Sequence, residues 1–442
     1  MKTIHRIRKL FVTTLFLRLT IAAAFALSIA FILPSSPPHA AAPHAERPAI
    51  ELVETAPIET SLDSPDLREA HEVWVEMIDG AERSLAFEHF YASSEPGSRL
   101  ETVIAAIERA AGRGVTVRFV LDRQFAELYG ETIERLDDIE GVEARILDTR
   151  ALMGGVQHAK FFIVDGREIF VGSQNFDWRA LEHIMELGVR VASEPVAREF
   201  LAIFDIDWAA ARPAAQIEGE DEDDSNAGAD ASRIAVLKRD ADWTDVTIRT
   251  GDDSVRVRPA LSPQGHLSDE SMWDLPQIVA LIDSAKTSVR VQLLTYKANT
   301  RDKRYWPMLD GALRDAAARG VKVELLVSHW CQRRGTIEGL KSLQALPNLE
   351  VRILTPPEWS GGFIPFARVI HSKYLVADGA RCWIGTSNWE RGYFYTSRNM
   401  GLVIEGTAIA GRLDRYFENG WTSSYAETVD LAREYPAPRV SE

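Results

Sequence analysis

The chain has 442 residues, 46% hydrophobic and 26% charged, a balance that can bury a real core over two or three domains of ordinary size. Its formal net charge of −15 argues against broad electrostatic adhesion to nucleic acid or anionic lipid, which needs excess Lys and Arg; a local basic cleft in an acidic shell is not excluded. Only two cysteines occur, Cys331 and Cys382, so the chain is no disulfide scaffold. Both fall in apolar, strand-like stretches and read as buried thiols, with a single bridge in an oxidising compartment as the alternative.

Residues 1–42 are set apart from the fold. Lys2, Arg6, Arg8 and Lys9 form a basic head, an apolar run covers residues 19–33, Pro34 ends it, and Ala40-Ala41-Ala42 follows. This is the layout of a secretory signal with a small-residue cleavage site. The run is short for a membrane span and Arg18 blocks its extension, so a retained anchor is the second choice. Either way the body is expected outside the cytoplasm, secreted or periplasmic, with membrane association only through this segment. The Pro-rich residues 34–48 read as a tether.

The body is an internal duplication. The segment Ile78-Asp79-Gly80-Ala81 matches Ile282-Asp283-Ser284-Ala285 at an offset of 204, Arg113-Gly114-Val115 matches Arg319-Gly320-Val321 at 206, and His158-Ala159-Lys160 matches His371-Ser372-Lys373 at 213. Offsets that rise steadily are expected of two copies differing by small loop insertions, and a period this long is a duplicated domain. Each copy predicts a helix (66–78; 275–285), a strand (84–91; 288–296), a second helix (100–111; 306–318) and a β-branched strand (115–121; 321–327), with a glycine stopping the second helix. Strand–helix–strand alternation implies a largely parallel sheet with helices packed on it. The expected domains are residues 43–212 and 241–442. The linker between them, 213–240, carries the acidic run 218–224, which repels itself and buries nothing. Beyond about Tyr425 no pattern is legible.

The chemistry sits in a repeated motif. Copy one has His158-Ala159-Lys160, four apolar residues, Asp165-Gly166, then Gly172-Ser173-Gln174-Asn175; copy two has His371-Ser372-Lys373, four apolar residues, Asp378-Gly379, then Gly385-Thr386-Ser387-Asn388. His and Lys two apart share one face of a strand. If Asp-Gly is a two-residue hairpin turn, the returning strand sets Ser173 opposite His158 and Thr386 opposite His371. An imidazole can attack phosphorus or move a proton, and an ammonium and an amide can hold phosphate oxygens whose charge grows in the transition state. Displacement at a phosphodiester needs both a nucleophile and a proton donor, and two copies facing each other supply both. Asp165 and Asp378 lie about seven residues from their histidines, roughly 20 Å along a strand, and read as structural. Glu186, eleven residues after Asn175, is a candidate for orienting a histidine; the equivalent position in copy two is Asn399. His89, His183 and His329 show no metal-ligand spacing, so no metal and no cofactor are expected. Trp178, Trp330 and Trp389 suit core packing, or else base stacking or an acyl cleft.

In duplicate, His-x-Lys-x4-Asp-x6-Gly-Ser/Thr-x-Asn resembles the phospholipase D superfamily, over roughly residues 51–426. Gly172 through Arg179, Glu186-Leu187-Gly188-Val189, Gly385 through Trp389, Arg304-Tyr305-Trp306-Pro307 and Ala367-Arg368-Val369 are similar to one branch, the animal endolysosomal 5′-exonucleases and the poxvirus nicking–joining enzyme. The resemblance implies two α/β/α sandwich domains related by a pseudo-two-fold, with the active site at their interface. It also implies a metal-independent phosphodiesterase passing through a phosphohistidine. It puts the nucleophile at His158 and the acid/base at His371, the reverse staying open because the copies are nearly symmetric. Lys160 and Lys373 would bind phosphate oxygens, assisted by Asn175 and Asn388. The substrate is a phospholipid or a single-stranded nucleic acid; transphosphatidylation and a non-catalytic binding protein that kept the fold are the competing readings. Oligomeric state is not legible.

Overall fold

The computed structural model describes residues 48–126, 128–214, 243–251 and 253–441. The expected leader, and the acidic run of the expected linker, lie outside the described residues. The segment Pro48–Glu442 is one compact unit. Among the described residues no helix is long and apolar enough to cross a membrane.

The duplication folds as two nine-stranded sheets of matching order. In the first, Val142–Leu147, Thr116–Asp122 and Ser84–His89 run parallel, and Lys160–Val164, Glu168–Gly172, Glu186–Ala192 and Ile50–Thr55 continue antiparallel. In the second, the parallel trio is Leu349–Leu354, Lys322–Ser328 and Ser288–Leu293, followed by Tyr374–Ala377, Arg381–Gly385, Gly401–Glu405 and Asp253–Pro259. The sheets are therefore mixed, not largely parallel. The βαβ units make the parallel part, but each motif closes on itself through a hairpin, which forces antiparallel pairing. Two edge pairings also went unforeseen. Arg212–Pro213 pairs with Val142–Leu147, so Pro213 belongs to the sheet and not to the linker, and Ala426–Thr428 pairs with Leu349–Leu354 in the stretch expected to be patternless.

Helices Ala70–Asp79 and Arg99–Gly112 cover one face of the first sheet, burying Val73, Trp74, Val103 and Ile107 against Leu85, Phe87 and Phe119. Asp274–Ser284 and Met308–Ala318 do the same for the second. Gly114 and Gly320, both at φ 88°, take the left-handed turn that sends each second helix straight into a strand. The inner faces of both sheets share one core, in which Phe200 and Phe204 of Glu194–Ala210 and Leu413 and Phe417 of Thr407–Thr422 meet Ile163, Val171, Val376 and Ile384. Motif strands buried on both sides explain the unbroken apolar runs after each Lys. Cys331, in a short 3₁₀ turn after its strand, and Cys382 are free buried thiols; burial pushes Cys331 up to about 12 and Cys382 further still.

The hairpin register differs from the expected one by one residue. Val164 pairs with Glu168 and Ala377 with Arg381, so each turn holds three residues. Asp165 and Gly166 (φ 53° and 67°) and Asp378 and Gly379 (φ 55° and 61°) form the left-handed pair, and one more residue follows. The motif aspartates reach across to the helix–strand corner. Asp165 accepts from the backbone N–H of Glu82, Arg83 and Ser84, and Asp378 from that of Lys286, Thr287 and Ser288. Burial raises the Asp378 carboxyl, but these N–H groups outweigh it and hold it at about 2. Asp378→Ala is expected to cost about 1–2 kcal/mol, as the loss of a helix cap does, measured as a lower urea midpoint. Because its folded value is depressed, the Asp378 contribution is complete above about pH 4 and is lost as pH falls through about 2.

Candidate active site

Both motif histidines stand at the junction of the copies, each held by the other copy. The backbone N–H of His158 donates to the Arg398 carbonyl at 2.9 Å, and that of His371 to the Met185 carbonyl at 2.8 Å. Residues 398 and 185 are themselves equivalent at the offset of 213. The next residue along supplies the ring partner. His371 Nδ1 lies 2.9 Å from both oxygens of Glu186, and His158 Nδ1 lies 3.0 Å from Asn399 Oδ1. Glu186 thus touches a histidine, that of the second copy. Asn399 is the functional position that reading for carboxylates alone missed; the same offset marked it.

Acceptors fix the tautomers. His371 Nδ1 also faces the Ser173 carbonyl at 3.1 Å, which can only accept, so Nδ1 carries the proton. Asn399 donates through Nδ2 to the carbonyls of Tyr393 and Ser397, and Thr386 Oγ1 donates to its Oδ1, so that oxygen faces His158 and Nδ1 is again the donor. Both Nε2 atoms keep their lone pairs. Ser173 and Thr386 therefore serve the histidine of the opposite copy, not their own as the two-residue turn implied. The Ser173 hydroxyl meets the Leu187 backbone and the Glu186 carboxyl. Such close approach depends on two glycine pairs, Gly172 opposite Gly188 and Gly385 opposite Gly401. A Cβ on Gly172 would sit 2.6 Å from the Gly188 Cα, and one on Gly401 2.9 Å from the Gly385 Cα.

Lys160 opens its strand and Lys373 stands just before Tyr374–Ala377, so the histidines precede the strands instead of sharing a strand face with the lysines; each ammonium folds back to its own histidine's carbonyl. Burial, then the two ammonium groups, drive both imidazoles well below their ordinary range, and His158 adds to this at His371. Burial lowers Lys373 to about 7 and Lys160 also far down; it raises Glu186 to about 8 against the pull of Lys373. Four bases and one acid thus share one buried site. A phosphate arriving there draws protons with it, so its binding must weaken as pH rises. Above about 7 Lys373 loses its charge, and above about 8 Glu186 gains one of the wrong sign. Inorganic phosphate or tungstate affinity is expected to fall about tenfold per pH unit above pH 8 for each proton taken up, measured by calorimetry in buffers of different ionisation heat.

Asn175 donates to the Tyr91 hydroxyl at 3.3 Å, which donates to Asp177 at 2.6 Å, and Arg179 pairs with Asp177. Asn388 engages Tyr393. Both motif amide oxygens are buried without a protein partner. Aromatic rings wall the His158 side, with Phe90 5.1 Å and Tyr393 4.8 Å from its ring, and Tyr91 stacked on Tyr129 at 4.7 Å. Trp389 lies in the core, whereas Trp178 and Trp330 pack half-buried over Ile184 and Val369, just before Glu186 and His371. His89 sits among aromatic rings and falls to about 3 by burial; burial takes His183 and His329 to about 4. Among the described residues no three His, Cys, Asp or Glu side chains are grouped so as to hold a metal ion.

Comparison with known proteins places these features. Residues 74–208 and 278–421 match the family described as cardiolipin synthase, PLD-like domain. The chain is 30% identical over 410 residues to the 5′-3′ exonuclease PLD4 of Homo sapiens, covering 86% of this chain and 78% of that protein. It is 27% identical over 398 residues to phospholipase D Z of Dictyostelium discoideum, covering 86% and 91%. Among solved structures, phosphatidylserine synthase of Haemophilus influenzae Rd KW20 shares the fold with a TM-score of 0.62 at 13% identity, over 86% of this chain and 87% of that one.

Proposed function

The chain belongs to the phospholipase D-like family, and we propose that it is a phosphodiesterase that works through a phosphohistidine formed where its two copies meet. The observation that carries this is the reciprocal hold on the two rings: each Nδ1–H is fixed by the other copy, which leaves two Nε2 atoms for one phosphorus. His158 Nε2 attacks phosphorus, the bond to the leaving oxygen breaks, and His371, charged with the proton that Glu186 helps it carry, protonates that oxygen. Neutral again, His371 takes a proton from water, the oxygen attacks phosphorus, and the P–N bond breaks. Lys160 and Lys373, with the Asn175 and Asn388 amides, hold the non-bridging oxygens.

We assign the substrate to the end of a single-stranded nucleic acid. The aromatic wall of Phe90, Phe125, Tyr91, Tyr129 and Tyr393 beside His158 suits a stacked base. A relative named as a 5′-3′ exonuclease aligns along most of the chain. A phospholipid is the second reading, favoured by the relative named as a phospholipase D. The basic head and apolar run of residues 1–33 support export of the enzyme. The test incubates the protein, with chelator present, with a labelled single-stranded oligonucleotide and separately with phosphatidylcholine vesicles. Mononucleotide release is expected. Release of choline alone would reverse the substrate assignment, and loss of activity to chelator alone would overturn the mechanism.

A further inference from the structure

Behind His158 lies a buried ionic cluster that the chemistry above does not use. Arg398 is fully buried and makes a two-pronged pair with Asp207 of helix Glu194–Ala210, Nε to Oδ2 at 2.7 Å and Nη2 to Oδ1 at 2.9 Å. Its Nη1 donates to the carbonyls of Ser262 and His266 at 3.3 and 3.0 Å. Glu88, equally buried, accepts from the Gln157 side chain at 3.1 Å, and the Gln157 backbone N–H donates to Asp122 at 2.6 Å. Burial and the neighbouring Asp207 carboxylate push Glu88 well up.

The second copy shows what the fold itself requires. At the offset of 213, Arg398 corresponds to Met185 and Asp207 to Gly420; at 204, Glu88 corresponds to Gln292. The Met185 carbonyl still accepts from His371, its sulfur lies 3.9 Å from the Gln292 amide, and a Cβ on Gly420 would stand 3.7 Å from the Gln292 Oε1. The three matched positions are thus ionisable in the first copy and uncharged in the second, where Gln292 accepts instead from the Tyr374 hydroxyl at 2.8 Å. A buried ion pair is a poor source of stability next to well-packed neutral groups, so stability does not account for this one.

We propose that Arg398, anchored by Asp207 and the Ser262 and His266 carbonyls, is a positioning residue that holds Asn399 and the His158 backbone so that the His158 ring keeps its attacking nitrogen on the phosphorus; this rests on the phosphohistidine reading. Arg398 grips residues 156–158 from both sides. Its N–H donates to the Val156 carbonyl at 3.0 Å and its carbonyl accepts from His158, while Asn399, next in the chain, meets the ring. His371 is held by both oxygens of a carboxylate, whereas His158 has one neutral amide oxygen. The weaker hold on the ring is matched by the stiffer anchor beneath it.

The test places the second copy's residues at these three positions, combining Arg398→Met, Asp207→Gly and Glu88→Gln. Rapid-quench kinetics would separate formation of the phosphoenzyme from its breakdown, and ¹⁵N shifts of the His158 ring would report its tautomer without any substrate. Formation is expected to slow about 10–100-fold, with a mixed tautomer at His158, and breakdown by much less, because the ring is then already fixed on the phosphorus by the P–N bond and His371 supplies the base. Arg398→Lys keeps the charge but not the two-pronged contact; it carries the same expectation at about 3–10-fold and decides the matter if the triple variant does not fold. Wild-type formation with an unaltered ring signal overturns the proposal, as does equal slowing of both steps. A wild-type enzyme that forms no phosphoenzyme refutes the phosphohistidine reading instead, and the ring signal then still decides whether Arg398 positions His158.

Discussion

His158→Ala and His371→Ala are each expected to lower kcat by about 10⁴-fold or more, because each ring performs a step nothing nearby can perform for it. The two losses should differ in kind. Without His158 no bond to phosphorus forms, whatever the leaving group. Without His371 the attacking nitrogen is still present and only the proton is lacking, so a nitrophenyl phosphodiester, whose leaving group departs as a stable anion, should give one rapid turnover. That turnover should leave a stoichiometric phosphoenzyme that water attacks slowly. A burst in His158→Ala and none in His371→Ala would exchange the two roles. The neighbours favour the assignment made here. Asn399 Oδ1 fixes a neutral Nδ1–H tautomer on His158, which is the form with a free lone pair, while Glu186 is a group that can ionise to support the cation that an acid must be.

What could be read from the chain and what could not separate along physical lines. The duplication, the helices and strands of both copies, and the two motifs were legible because periodicity, turn glycines and motif spacing are local properties. The helix expected at 275–285 is Asp274–Ser284, and the strand expected at 115–121 is Thr116–Asp122. The one-residue slip in the hairpin register came from treating Asp165-Gly166 as the entire turn, when both left-handed residues are followed by a third before the ladder resumes. The edge strands at Arg212–Pro213 and Ala426–Thr428 carry two and three residues, too few for any pattern. Partner choice across the junction was illegible in principle. That Ser173 faces His371, or that Asn399 faces His158, depends on how two sheets dock, and spacing within one copy says nothing about that. Only the equality of offsets linked Glu186 to Asn399, and it showed its meaning once both were seen at the same atom of opposite rings.

That equality leads to the second large effect. Glu186→Gln is expected to lower kcat about 10²–10³-fold while changing KM little. The amide keeps the volume but cannot ionise to support the His371 imidazolium when it forms, and if its Nε2 turns to the ring it forces the proton off Nδ1. The Ser173 carbonyl at 3.1 Å still favours Nδ1–H, so part of the population keeps the working tautomer and the loss should fall short of that for His371→Ala. The pH dependence supplies an independent readout. Glu186 is raised by burial to about 8, so in the parent enzyme phosphate affinity declines as this carboxyl ionises. In Glu186→Gln that ionisation is gone, and the decline above pH 8 should become shallower by one proton, with Lys373 alone responsible at lower pH. Adding Asn399→Asp moves the carboxylate to the His158 side without restoring it to His371. If the asymmetry of the two partners sets the two roles, the double variant should be no faster than Glu186→Gln, and a nitrophenyl substrate should show its burst slowed, because a charged partner now stabilises the protonated, non-nucleophilic form of His158. Full recovery in the double variant would mean that either ring can take either role and that the Glu186–Asn399 difference does not direct the reaction.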